Sequence, residues 1–470
     1  MRTIALYATL AFCTTAALII FSVNTWPKGG WAERYRRVKH PNPPLPLLPP
    51  PPNPIEALGS DHRAQTASPL QAWEFDYRRD GRRFGLTEAQ CGQAFPDLYH
   101  EIDRAVGHRQ KLGKNVTLAE LDVTWRGDGI VRAMVHENQL YVIDAHGVWD
   151  HNHRPRALAT LHAINRAVAT SSEALPDVEF TFTDHDSALI DLQSNFTTWA
   201  YSRLKYQDTL WLMPDFGFWA WPDVGQRSYA ELQTILDADE DEFEDKVPKL
   251  VWRGALDVGS HDARAGLLRH SAGQKWSDVQ TLNWTNSSDI RSKRLTMDEH
   301  CAYMLTAHTE GNTYSGRLKY LLNCHSILLS HELKWIEHFH HLLRPSGAEQ
   351  NYVRLHHDFS DLRSTMAGLL RPSNLASASR TIANNARATF RERYLTPAAE
   401  ACYWRALIRG WARVQGFEVQ LWAEGEAEMV WQGSMKTKRY LRGTPWESYA
   451  IMEATEWDIP AKARRLCVEE

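Results

Sequence analysis

The stretch 311-GNTYSGRLKYLLNCHSILLS-330 decides the fold. Gly311 to Ser315 is small and polar, as a loop is. Ser315 to Leu322 has helical spacing, and Ser326 to Ser330 is a short apolar run that reads as a buried strand. A loop that feeds a helix and then a strand is the unit of an α/β sheet. Upstream, Lys249 to Trp252 reads as a strand running into Arg253-Gly254, and Val247 opens this second unit. Downstream, His331 to Leu343 has a helical look, Tyr352 to Leu355 a strand pattern, and Asp361 to Leu370 a helical one with Ser360 or Asp358 as N-cap. Long helical patterns follow at Leu375 to Tyr394 and Ala398 to Val414.

The N-terminal half alternates in the same way. Ile130 to Ile143 holds β-rich pieces, Arg156 to Thr170 is helical, Val178 to Phe182 alternates as a strand, and Leu210 to Met213 is a short apolar run. Tyr229 to Phe243 looks helical and ends in the acidic run Asp237 to Asp245, which reads as a solvated surface. Alternating strands and helices imply parallel sheets covered on both faces. The expectation is an α/β enzyme of two Rossmann-like lobes with a cleft between them.

Composition bounds the rest. With 470 residues the chain is too long for one ordinary core. Its net charge of −4 gives no basic footprint for nucleic acid. Six cysteines, without a C-x-x-C pair, argue against a zinc module and leave disulfides open.

Ile4 to Val23 is a 20-residue apolar run without a charge. At about 1.5 Å per residue it spans a bilayer core of roughly 30 Å, so it is expected to be an uncleaved anchor. Basic residues from Lys28 to Lys39 outnumber those before the run and favour a cytosolic body. Sequons at Asn115, Asn195, Asn283 and Asn286 favour the lumen, where glycosylation occurs. The run PNPPLPLLPPPPNP, Pro41 to Pro54, forms neither helix nor ladder and reads as a stiff stem. The expected layout is anchor 1–25, stem 26–69, lobes 70–246 and 247–400, and a C-terminal helical segment 401–470 packed back on the lobes.

An α/β enzyme that binds a nucleoside diphosphate needs the phosphate charge to be neutralised and, for transfer to a hydroxyl, that hydroxyl to be deprotonated. The loop before Arg317 suits the first need, with backbone N–H groups, the Ser315 hydroxyl and a guanidinium able to converge. Arg253, at a strand end and followed by Gly254, sits where α/β sheets bind ligands, and Arg264 follows in the next helical pattern. On spacing alone, such an arginine is more often an ordinary salt-bridge partner.

Five ordered motifs carry a resemblance: LVWRG (250–254), GNTYSGRLKYLL (311–322), CHSILLS (324–330), WIEHF (335–339) and DFSDL (358–362). Together they resemble glycosyltransferase family 90, which includes fungal capsule-associated xylosyltransferases and animal protein O-glucosyltransferases. The PDFGFWAWP stretch, Pro214 to Pro222, is similar to the fungal branch. The resemblance covers roughly residues 130 to 400. It implies a GT-B-type fold and an inverting transfer from a UDP-sugar, with xylose or glucose leading, to a hydroxyl of a glycan or glycoprotein. It implies no metal or other cofactor, and a single-pass type II placement in the Golgi or endoplasmic reticulum with the catalytic domain luminal.

It also implies roles by position. Arg253 and Gly254 lie near the donor, Arg264 meets the diphosphate, and Asn312, Thr313, Tyr314, Ser315, Gly316 and Arg317 form the donor loop. Asp215, Phe216 and Gly217 border the donor pocket. Asp150, six residues before Arg156, is the candidate base, and His162 falls where the glucosyltransferase branch also has a histidine. The residues flanking the family's aspartate are absent here, so Asp144 stays open as an alternative. That departure also leaves a non-catalytic, membrane-tethered glycan-binding relative as the rival reading. Asp184-His185-Asp186 forms a D-x-D, a metal signature of the other large glycosyltransferase fold, and is set aside as a chance match. His331, His338, His340 and His341 do not complete H-E-x-x-H and read as a histidine-rich helical surface.

Overall fold

Ile327–His331 is buried along its whole length, as a strand covered on both faces must be. It belongs to a five-stranded sheet, in the spatial order Ser277–Thr281, Val247–Gly254, Tyr303–His308, Ile327–His331, Val353–Leu355. Every pairing in it is parallel. A parallel pair needs a crossover, and His261–Ser271 supplies one between the Val247 and Ser277 strands. Leu250, Trp252, Leu267, Leu329 and Leu362 share its core. This is the computed structural model of residues 73–453, apart from 125–127, 149–151, 187–195, 222–225, 260 and 431–433.

The second sheet has six strands: Thr444–Pro445, Gln139–His146, Ile130–His136, Val178–Thr183, Trp199–Ala200, Trp211–Leu212. It is mixed, which corrects the expectation of two parallel sheets. Glu137 and Asn138 both take positive φ, 48° and 58°. Two left-handed residues in succession make the tight turn that joins antiparallel neighbours, so Ile130–His136 and Gln139–His146 form a hairpin. Val178–Thr183 then pairs antiparallel to Ile130–His136, and the last two strands run parallel. The fold class is α/β, with one parallel and one mixed sheet.

The helices His153–Ala169 and Pro397–Ala412 pack on each other beside this sheet. Gly410 allows a close helix approach, because a β-carbon there would lie 2.4 Å from Ile102 Cγ2. A disulfide, Cys91–Cys402, fixes Pro397–Ala412 to the Glu88–Ala94 helix, and a second joins Cys301 to Cys324. The C-terminal stretch is not purely helical. It carries a hairpin, Trp422–Val430 with Ser434–Leu441, before the helix Trp446–Glu453.

Other local expectations also change. His331 to Leu343 is not a helix. The Glu310 carboxylate accepts the N–H groups of Lys334 and Trp335 at 2.9 and 2.8 Å, and Trp335–Ile336 pairs with Arg203–Leu204. Those bonds occupy donors a helix needs. His331 and His338 are buried, so no histidine-rich helical surface exists there. The helix after Arg317 is only Leu318–Leu321. Asp361 occupies the N-cap of Leu362–Leu369 without a capping bond to that helix, its carboxylate accepting the His356 N–H instead, and Asp358 accepts the N–H of Ser360. Within the acidic run, Asp237 and Glu240 pair with Arg391, and Glu240 also with Lys246.

Among the described residues no helix is long and apolar enough to cross a membrane. The Ile4 to Val23 run, the proline stem, Cys13, Cys467, Asn195 and Asp150 lie outside those residues.

Candidate active site

Trp252 is fully buried near the end of the Val247–Gly254 strand, and its indole N–H donates to Thr309 Oγ1 at 3.2 Å. Two guanidinium groups lie against its ring, Arg264 at 5.9 Å and Arg317 at 5.7 Å from the ring centre. Arg264 donates to the Glu310 carbonyl at 3.1 and 3.0 Å and to the Ala255 carbonyl at 2.6 Å. Arg317 donates to the Arg253 carbonyl at 2.6 Å. Burial lowers the Arg264 pKa. Burial and the nearby Arg264 charge push that of Arg317 down to about 9. Two cations held together on backbone carbonyls repel each other, and an anion between them relieves that repulsion.

The loop before Arg317 is held from two directions. Gly259, at φ +43°, lies so close that a β-carbon would meet the Gly311 carbonyl. Lys319, fully buried, bonds the Gly316 carbonyl at 2.7 Å and forms an ion pair with Asp215 at 2.8 Å. Asp215 in turn caps the turn Phe216–Phe218 through the Gly217 N–H. A β-carbon on Gly217 would lie 2.6 Å from the Lys319 amine, so glycine is required for this contact. Asp215 and Gly217 therefore act on the loop through Lys319. Phe216 also packs under the Arg156 guanidinium at 5.0 Å. Tyr314 is buried in the main core.

Arg253 points elsewhere. Its guanidinium pairs with Asp278 at 3.0 Å and bonds the carbonyls of Asp278 and Lys293. Gly254 seats the Trp252 ring, with a β-carbon position 2.6 Å from Cζ2.

A cavity of about 500 Å³ opens beside this loop. Asn312, Thr313 and Trp335 line it from the parallel-sheet side, and His153, Arg156, His185 and Asp186 from the other. Thr313 Oγ1 donates to the Asp186 carbonyl at 2.9 Å and so couples the two sides. The Asp186 carboxylate is about half exposed and pairs with Arg156 at 2.8 Å. Asp184 is fully buried. Desolvation raises its pKa despite a hydrogen bond from His153 at 2.5 Å.

Asp144 lies on the hairpin opposite Arg132, where it pairs with His146 at 3.0 Å. His162 stacks on Trp219, 5.0 Å between ring centres. Asn115, Asn283 and Asn286 are exposed, and Asn286 caps the Ser287–Lys293 helix. The cavity carboxylate, Asp186, follows the C-terminal end of the buried Val178–Thr183 strand, where α/β sheets place ligands.

Sequence comparison finds two curated relatives described as O-glucosyltransferase rumi homologs. That of Aedes aegypti is 24% identical over 270 residues, covering 52% of this chain and 64% of the relative. That of Anopheles gambiae is 31% identical over 123 residues, 24% and 29% of the two lengths. The matches thus span less than two thirds of either relative. The profile of Glycosyl transferase family 90 matches residues 95–460, most of the chain. The chain belongs to glycosyl transferase family 90.

Proposed function

We propose that this glycosyltransferase moves a sugar from a UDP-linked donor to a hydroxyl acceptor with inversion at the anomeric carbon, in a two-lobed, GT-B-type arrangement. The observation that carries the reading is the guanidinium pair Arg264 and Arg317, at the root of a loop that lines a cavity. In the transfer, the acceptor oxygen bonds the anomeric carbon as the bond to the diphosphate oxygen breaks. The departing diphosphate gains negative charge, which the two guanidinium groups stabilise without a metal. The acceptor proton passes to a carboxylate. Asp186 is our choice for it, because among the described residues it is the carboxylate that lines the cavity. Asp150 is the competing choice from sequence.

Glucose is supported by the names of the two relatives, and xylose by the fungal-type PDFGFWAWP stretch. A glycan acceptor follows from the same stretch. A luminal, membrane-anchored placement is supported by the apolar run Ile4 to Val23, by two disulfides and by exposed sequons.

The test is UDP release from UDP-glucose and UDP-xylose by the full chain, with and without glycan acceptors. Turnover lost in Arg264→Ala and in Asp186→Asn is expected. Turnover of neither donor, alongside retained glycan binding, would favour the non-catalytic rival. Turnover lost in Asp150→Asn but kept in Asp186→Asn would reassign the base.

A further inference from the structure

Beside the cavity, Asp128, His153 and His185 each bring one ligating atom to within 4.8 Å of the others. From this convergence we infer that the chain binds a first-row divalent ion of the Zn²⁺ type at these three residues. The inference does not depend on the transfer reading above.

The donor set is the first support. Two imidazole nitrogens and one carboxylate oxygen suit Zn²⁺ and its neighbours rather than Mg²⁺ or Ca²⁺, which favour all-oxygen shells. Spacing is the second. Metal–ligand bonds of about 2.0–2.1 Å at tetrahedral angles put ligand atoms roughly 3.3 Å apart. His185 Nε2 and Asp128 Oδ1 are already 3.5 Å apart.

The surroundings are the third support. The His153 Nδ1 bonds a carboxylate oxygen of buried Asp184 at 2.5 Å. A carboxylate on one ring nitrogen fixes the tautomer and orients the ring, as in carboxylate–histidine–metal arrangements. Gly129 makes room for the group. It takes φ +56°, and a β-carbon on it would lie 2.5 Å from His185 Cδ2 and 2.6 Å from Asp184 Oδ1. The backbone also ties the pieces together, since the Asp184 N–H donates to the Gly129 carbonyl at 3.0 Å.

His153 and His185 line the cavity. Three protein ligands leave a fourth position for water or a hydroxyl, the pattern of an open zinc site. Such an ion departs from the metal-free expectation of the sequence, but it is not the counter-charge of the diphosphate. That charge is met by Arg264 and Arg317.

The test is Co²⁺ titration of the metal-stripped full chain, followed by the visible absorption of tetrahedral Co²⁺, with Zn²⁺ as competitor. The expected result is one equivalent that Zn²⁺ displaces. His185→Gln and Asp128→Asn should weaken it by about 100-fold or more. Asp184→Asn, acting through His153, should weaken it by roughly 10–100-fold. Asp128 is exposed, so its variant tests the site with little risk to folding, and unchanged metal-free melting confirms that each variant is intact. No stoichiometric uptake by the parent chain overturns the inference. So does affinity unchanged in intact His185→Gln and Asp128→Asn, which would assign the ion to other histidines.

Discussion

The two sides of the cavity are built from different chemistry. The parallel-sheet side contributes small loop residues, and behind that loop the guanidinium groups of Arg264 and Arg317, which are cationic at neutral pH although burial lowers both pKa values. The mixed-sheet side contributes titratable groups, Asp184, Asp186, His153 and His185. A leaving diphosphate needs charge that is always present, whereas an acceptor hydroxyl needs a group that takes up a proton. On the proposed reading, leaving-group work falls to one sheet and proton transfer to the other.

The sharpest way to break that division is at Asp186. Asp186→Asn should cut kcat by about 10²–10⁴-fold while UDP affinity stays near that of the parent. A fall in UDP affinity of similar size would place Asp186 on the donor side instead. The next largest effect is on stability. Lys319→Met strands the Asp215 carboxylate in the interior and should cost roughly 3–5 kcal/mol in denaturant melts. Asp215→Leu/Lys319→Met should recover much of it but leave the donor loop misplaced, with weakened UDP binding.

Arg317→Ala should lower kcat by about 10²–10³-fold, and Arg317→Lys should not restore it fully, because a point charge lacks the guanidinium fork. The smallest effect is at the third arginine of this region. Asp278 is partly desolvated, which raises its pKa, but hydrogen bonds from Tyr303, Arg253 and Gln280 prevail and hold it below its ordinary value of 3.8. Its stabilisation is therefore complete above that value and is lost as the pH falls through the lower folded one. Asp278→Asn should cost roughly 1.5–3 kcal/mol at pH 7. The gap to the parent should close in acid melts below pH 3.8, with UDP binding little changed at neutral pH. A large loss of UDP binding would make Arg253 a ligand rather than a scaffold.

Only part of the parallel sheet was legible in sequence: a strand buried on both faces reads as an unbroken apolar run, as at Ile327–His331, whereas the polar, half-buried Ser277–Thr281 strand and the Tyr303–His308 strand were not read. The mixed sheet was not legible. Its hairpin depends on left-handed Glu137 and Asn138, and Glu is not a residue that announces such a turn. The His331 to Leu343 stretch misled for a different reason. Its apolar spacing suits a helix, but the buried Glu310 carboxylate takes two of its N–H groups, a partner from outside the segment. The arginine pair was readable only as two separate residues, and their meeting at Trp252 is tertiary. Asp186 sat within a D-x-D too common by chance to stand out, and the fold puts it in the cavity.

The most direct measurement is calorimetric titration of UDP and of uridine into the full chain and into Arg264→Ala and Arg317→Ala. The parent should bind UDP much more tightly than uridine, and each truncation should abolish most of that difference while uridine binding holds. UDP binding as tight in both variants as in the parent would contradict the assignment of the guanidinium pair to the diphosphate.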